Sequence, residues 1–135
     1  MSDPRQALLT AIYQTLADDT ELTQHLSDGE IYDHAPRGAQ YPFVSFGECR
    51  SRSLDADTPR VDEHRFEVLV HSRALSRSEA SAIANRIAAV LDGAPPAAVG
   101  VRIDSLRHRE STLTLSRDQR AYRVRMVFVA VTELE

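Results

Sequence analysis

The sequence predicts an α+β fold: an antiparallel sheet of about four strands with two main helices on one face, and long β-hairpin arms. Three observations carry this. Two stretches, "SDPRQALLTAIYQTLADD" and "SRSEASAIANRIAAVLDG", repeat apolar residues at helical spacing. Four others alternate apolar and polar residues and fall into two pairs, each pair joined by a polar segment, which reads as two antiparallel hairpins. One of the four, "RAYRVRMVFVAVTEL", turns apolar on both faces, as does a strand central in its sheet or covered by a neighbouring subunit. The 135 residues make one domain, 1–135, able to bury roughly two thirds of its unfolded surface.

The first helix opens with Asp3 as cap, Pro4 at the first helical position and Gln6 three residues after the cap. Its apolar stripe is Leu8, Leu9, Ile12, Tyr13 and Leu16. "DTELTQHL" predicts a short second helix over Thr20–Leu26, ended by the turn signal "SDGE". Ile31 and Tyr32 suit a short strand inside a segment punctuated by Pro36, Gly38 and Pro42. The first hairpin pairs a strand over 42–52, with Val44 and Phe46 on one face, with a strand over 61–72. In the latter, Phe66, Val68 and Val70 face one way and Arg65, Glu67 and His71 the other.

In the main helix Ser76 or Ser78 caps, with Glu79 placed to close a capping box from Ser76. Ile83, Ala84, Ile87, Ala88 and Leu91 form its buried stripe, and the small Ala80, Ala84 and Ala88 allow close approach to a sheet. Gly93 is a left-handed stop, and Pro95 and Pro96 forbid continuation. The second hairpin pairs strands over 100–110 and 120–132, with "STLTLSRDQ" as its tip or an extended arm. Regular alternation puts Val101 and Ile103 on one face with Arg107 and Arg109. In the last strand Tyr122, Val124, Met126, Phe128 and Ala130 share a face, and Arg123 and Arg125 begin the other, which continues with Val127, Val129 and Val131.

Chemistry is hard to find in this pattern. The five histidines, His25, His34, His64, His71 and His108, form no HExxH or clustered motif, and His64 and His71 fall on opposite faces of one strand. Cys49 is the only cysteine, which excludes an internal disulfide and a thiolate cluster within one chain. No G-x-S-x-G elbow, P-loop or G-x-G-x-x-G occurs. No catalytic group, metal or cofactor is expected, and the sequence argues against an enzyme. The longest apolar run, Met126–Val131, is far short of the ~20 residues that span a bilayer. The opening "MSDPRQALL" lacks the basic-then-apolar order of a signal peptide, so cytoplasmic synthesis is expected and no membrane partner.

Charge is the more informative signal. The net charge of −4 disfavours a domain that coats itself in nucleic acid. All 16 basic residues are arginine, whose planar fork suits carboxylate partners at protein interfaces. "RSRSLDADTPRVDEHR" interleaves arginines with acids, and the second hairpin carries seven arginines from Arg102 to Arg125. These mark Arg50, Arg52, Asp55, Asp57, Arg107, Arg109, Arg123 and Arg125 as candidates for contacts between subunits, arginine on one copy meeting carboxylate on the next. A solvated sheet face is the alternative.

"YPFVSFGE", "DEHRFEVLVHSR" and "SRSEASAIANRIAAVLDG", in this order and spacing, resemble the tail-completion, or tail terminator, proteins of long-tailed phages and gene transfer agents. The resemblance runs from about Arg5 to Val131, and the closing hairpin matches in pattern more than in letters. It implies a virion structural protein: a homo-oligomeric, hexameric ring that ends the tail tube and joins it to the neck under the head. Implied partners are the tail tube protein, a neck or stopper protein, and DNA that passes through the channel without specific binding. A different neck component, stopper or adaptor, is the nearest alternative. A small ligand-binding regulatory module is the next, and would need a pocket with convergent polar groups.

Overall fold

The structure, a computed structural model, describes residues 3–54 and 60–135. Its elements in chain order are α1 (Pro4–Ala17), α2 (Thr20–Thr23), a 3-10 turn (Ser27–Gly29), β1 (Ile31–Tyr32), β2 (Phe43–Ser53), β3 (Val61–Ser72), α3 (Ser78–Leu91), β4 (Val101–Leu115) and β5 (Tyr122–Leu134). The sheet has five strands in the order β1-β2-β3-β5-β4. Four are antiparallel, as expected. The fifth, β1, pairs with β2 in parallel, Ile31 beside Val44, so the sheet is mixed.

Both predicted hairpins form, β2 with β3 and β4 with β5. They are joined side by side, because β3 pairs with β5 from Val61↔Glu133 to Ser72↔Tyr122. The arms are therefore parts of one continuous sheet. Ser111–Leu115, expected at a tip, continue β4, which leaves only a short turn before β5. β5 lies between β3 and β4 along its length, so it is central in its sheet, one of the two readings its two apolar faces allow.

The helices cover one face of the sheet. Leu8, Ile12 and Leu16 of α1 and Ile83, Ile87 and Leu91 of α3 meet Phe66, Val68, Val70, Leu106, Met126 and Phe128 in one core. Ala80 and Ala84 are buried and Ala88 partly so, which places the small-residue stripe against the core. Tyr13, assigned to the α1 stripe, is 41% exposed instead. At about 100° per residue it stands about 140° around the helix from Leu8, too far to reach the sheet.

Asp3 caps α1, its carboxylate accepting the Arg5 and Gln6 N–H groups. The capping box predicted for α3 does not form. The helix begins at Ser78, and Glu79 instead accepts a hydrogen bond from the Ser72 hydroxyl at 2.7 Å, tying the helix to the end of β3. The helix ends as expected at Gly93, with φ +72°. The Gly93 N–H donates to the Leu106 carbonyl at 2.8 Å, fixing the helix end to β4. A Cβ there would meet only the Arg107 guanidinium, at 3.5 Å. Gly93→Ala is therefore expected to cost about 1–2 kcal/mol through the left-handed backbone alone, read as a lower denaturation midpoint with unchanged slope.

β-Bulges interrupt β2 between Phe46 and Cys49, and β4 between Ile103 and Ser105 and between His108 and Glu110. Each adds a residue and reverses the alternation. The expected grouping of Val101 and Ile103 with Arg107 and Arg109 is thereby overturned. Leu106 takes the core side, Arg107 stands opposite Val129 on the outer face, and Arg109 sits in the second bulge.

Candidate functional site

The face of the sheet away from the helices is a lattice of charge, and alternation puts it there. β3 contributes Glu63, Arg65 and Glu67, and β5 contributes Arg123 and Arg125. The bulge in β2 keeps Arg50 and Arg52 on the same side, opposite Arg65 and Glu63. Glu110 of β4 stands opposite Val127.

Glu67 is the centre of this lattice. Its carboxylate accepts the Glu48 backbone N–H at 3.1 Å and pairs with the Arg125 Nε. Partial burial opposes its charge, but these two donors prevail and hold the carboxyl below its ordinary value. Arg125 reaches on to Glu110 at 3.9 Å, and Glu110 takes Arg65 at 3.3 Å. Arg50 pairs with Glu48 and Arg52 with Glu63. Val127 lies among Glu48, Arg50, Arg65, Glu67 and Arg125 and is 1% exposed, although no helix of the described residues covers it. The aliphatic stems of long charged residues shield such a position.

Gly47 makes this packing possible. A Cβ on it would stand 2.4 Å from one Glu67 carboxylate oxygen and 3.0 Å from the Glu67 Cβ. Gly47→Ala must expel the Glu67 side chain, at an expected cost of about 2 kcal/mol. The same change in a Glu67→Ala background should cost clearly less, and a double-mutant cycle reads the difference.

The predicted interface residues separate into two groups. Arg50, Arg52 and Arg125 already have carboxylate partners inside the chain, and Arg107 stands 3.7 Å from Asp92. Arg109 and Arg123 have no ion-pair partner among the described residues. Asp55 and Asp57 lie outside the described residues. Glu48, Glu67 and Glu110, which organise the face, were not singled out from the sequence. Glu67 and Glu110 meet Arg125 and Arg65 diagonally across strands, which only the register reveals, whereas Glu48 stands two residues from Arg50 on β2 itself.

Two serine–histidine contacts invite a catalytic reading. Ser45 Oγ is 3.0 Å from His71 Nε2, and Ser51 Oγ is 2.7 Å from His64 Nδ1. The second nitrogen of His64 meets Thr132 Oγ1 at 2.8 Å. His64 and Ser45 are buried, 1% and 5% exposed, and no carboxylate is hydrogen-bonded to either ring among the described residues. Without an orienting acid or access for a substrate, these are cross-strand ties rather than nucleophile–base pairs. Among the described residues no three His, Cys, Asp or Glu side chains are grouped to hold a metal ion, and no helix is long and apolar enough to cross a membrane.

Comparison with known proteins bears on this surface. The sequence matches the family described as Tail completion protein gp17 over residues 10–133. The fold matches a chain of a solved structure described as the virion of a native gene transfer agent (GTA) particle. That match has a TM-score of 0.88 at 25% identity and covers 98% of this chain and 99% of the other. Among curated proteins none matches at a significant level.

Proposed function

The chain belongs to the Tail completion protein gp17 family, and on that premise we propose that it forms a hexameric ring in a phage or phage-like particle. It is a structural protein and not an enzyme. In this reading it is made in the cytoplasm and assembles on the last ring of the tail tube protein. There it stops tube growth, joins the tube to the neck or stopper protein, and leaves a channel for DNA. The observation that carries the reading is the near-complete overlay, over 98% of the chain, on a chain from a gene transfer agent virion.

The surface is consistent with assembly. Among the described residues one sheet face has no helix on it, and β4, 15 residues long, is an edge strand with no strand on its outer side, which meets only the end of α3 at Leu106 and His108. The interface candidates with no partner among the described residues, Arg109 and Arg123, are placed at contacts between copies. Arg50, Arg52, Arg107 and Arg125 would exchange or share partners there. With a net charge of −4 the protein has no overall excess of positive charge to retain DNA in a passage.

Electron microscopy of particles made without this gene is the test. Overlong tails, or tails without heads, are the expected result, and normal particles overturn the reading. A labelled copy located in a different neck ring would favour a stopper or adaptor.

A further inference from the structure

Arginines without an ion pair among the described residues are not scattered over the molecule. Ion pairs among the described residues engage eight of the 16 arginines. Of the other eight, Arg73, Arg77, Arg117, Arg120 and Arg123 gather where β3 ends and β4 turns into β5. Ser72 pairs with Tyr122 at this end, the Arg77 guanidinium lies 5.5 Å from the Tyr122 ring centroid, and Arg73 stacks on Tyr41 at 4.4 Å. All five guanidinium residues are exposed, and in the turn itself Asp118 is the one carboxylate against Arg117 and Arg120.

Acids gather elsewhere. Residues 6–36 contain six carboxylates, Asp18, Asp19, Glu21, Asp28, Glu30 and Asp33, and not one Lys or Arg. They lie at the end of α1, in α2, in the 3-10 turn and around β1. Arg86 of α3 forks onto Asp19 at 2.8 and 2.7 Å and reaches Glu21 at 2.6 Å. Asp28, Glu30 and Asp33 have no ion-pair partner among the described residues, and Asp28 and Asp33 are exposed. The strand order puts β1 at one edge of the sheet and β4 at the other, so the acidic segment and the arginine-rich turn belong to opposite edges.

We propose that copies of this chain join head to tail, the carboxylates around β1 of one copy meeting the arginines of the β4–β5 turn of the next. The contact is heterologous, using two different surfaces of each subunit, as a closed ring requires. The partner is a second copy because the chain carries both charges on opposite edges. A free polyanion would satisfy only one of them. The proposal rests on the ring reading for its closure and adds which surfaces meet.

The test is charge reversal in the full chain, with mass photometry at low and high salt and a thermal melt as folding control. R117E/R120E and E30R/D33R should each weaken self-association by about 100-fold, because like charges then face each other. The quadruple variant R117E/R120E/E30R/D33R should restore it, since every contact again joins opposite charges. Association untouched by R117E/R120E overturns this contact and leaves the ring standing. Loss in both double variants without restoration in the quadruple overturns the pairing of these two surfaces. A wild-type chain that stays monomeric at every concentration overturns both the contact and the ring. If R117E/R120E abolishes only salt-sensitive DNA binding, the turn serves nucleic acid and the proposal fails.

Discussion

Replacing Phe128 by alanine is expected to lower the unfolding free energy by about 4 kcal/mol. Phe128 is 0% exposed in the middle of β5. Its ring stacks on Phe66, with centroids 5.5 Å apart, and meets His108 at 5.1 Å. The backbone on both sides is held by ladders, Phe66 of β3 on one flank and His108 of β4 on the other. A cavity at this place cannot close, because its walls are strands fixed by hydrogen bonds. The cost should therefore approach the upper part of the range for a lost aromatic ring. Domains of this kind hold only about 5–15 kcal/mol in all, so the variant loses a large share. Urea denaturation measures it, as a fall in midpoint with an unchanged slope. A loss under about 1 kcal/mol would mean that the stacked pair is not the centre of the core.

The second large effect is acid destabilisation through two histidines. His71 lies on Phe43, with ring centroids 4.4 Å apart and planes 17° apart, and shares a hydrogen bond with Ser45. Burial first, and the Arg123 charge second, push its pKa down from 6.5 to about 4. His64 is shifted in the same direction, chiefly by burial, although the Asp62 carboxylate opposes the shift. Both rings are thus favoured as neutral in the folded chain, while the unfolded chain takes up protons as pH falls through about 6.5. Stability is complete above that pH and declines as pH drops toward 4. At about 1.4 kcal/mol per pKa unit, the His71 share reaches at most about 3 kcal/mol.

Between about pH 6.5 and 5 these histidines dominate the slope, because paired carboxylates such as Asp19 and Glu67 titrate lower. His71→Gln should flatten that part of the curve while leaving stability at neutral pH nearly unchanged. A wild-type curve that is flat from about pH 6.5 to 5, or a variant with the same slope, would contradict this account.

Much of this architecture is legible in the amino-acid sequence. The alternation in "HRFEVLV" assigned Phe66, Val68 and Val70 to the core and Arg65, Glu67 and His71 to the other face, and the register agrees. Gly93 reads as a helix stop in the sequence and is one. The double-sided apolarity of "MVFVAV" anticipated an inner strand. Less was readable of the surface. The arginines stand out, but most of their partners do not, because Glu67 and Glu110 become neighbours of Arg125 and Arg65 only across strands far apart in sequence, whereas Glu48 lies two residues from Arg50 on β2.

Local periodicity settles which residues form a helix or a strand and which side of it is apolar, because neighbours along the chain share one backbone geometry. The sequence of this protein thus specified two helices, two hairpins and a charged outer face. Folding alone settled that β3 lies against β5, that β1 adds a parallel edge, and that Arg107 turns away from Ile103. A bulge shifts every later side chain of its strand to the opposite face yet leaves no mark in composition. Pairing between distant strands is chosen by the whole core at once, through contacts that no short window of sequence contains.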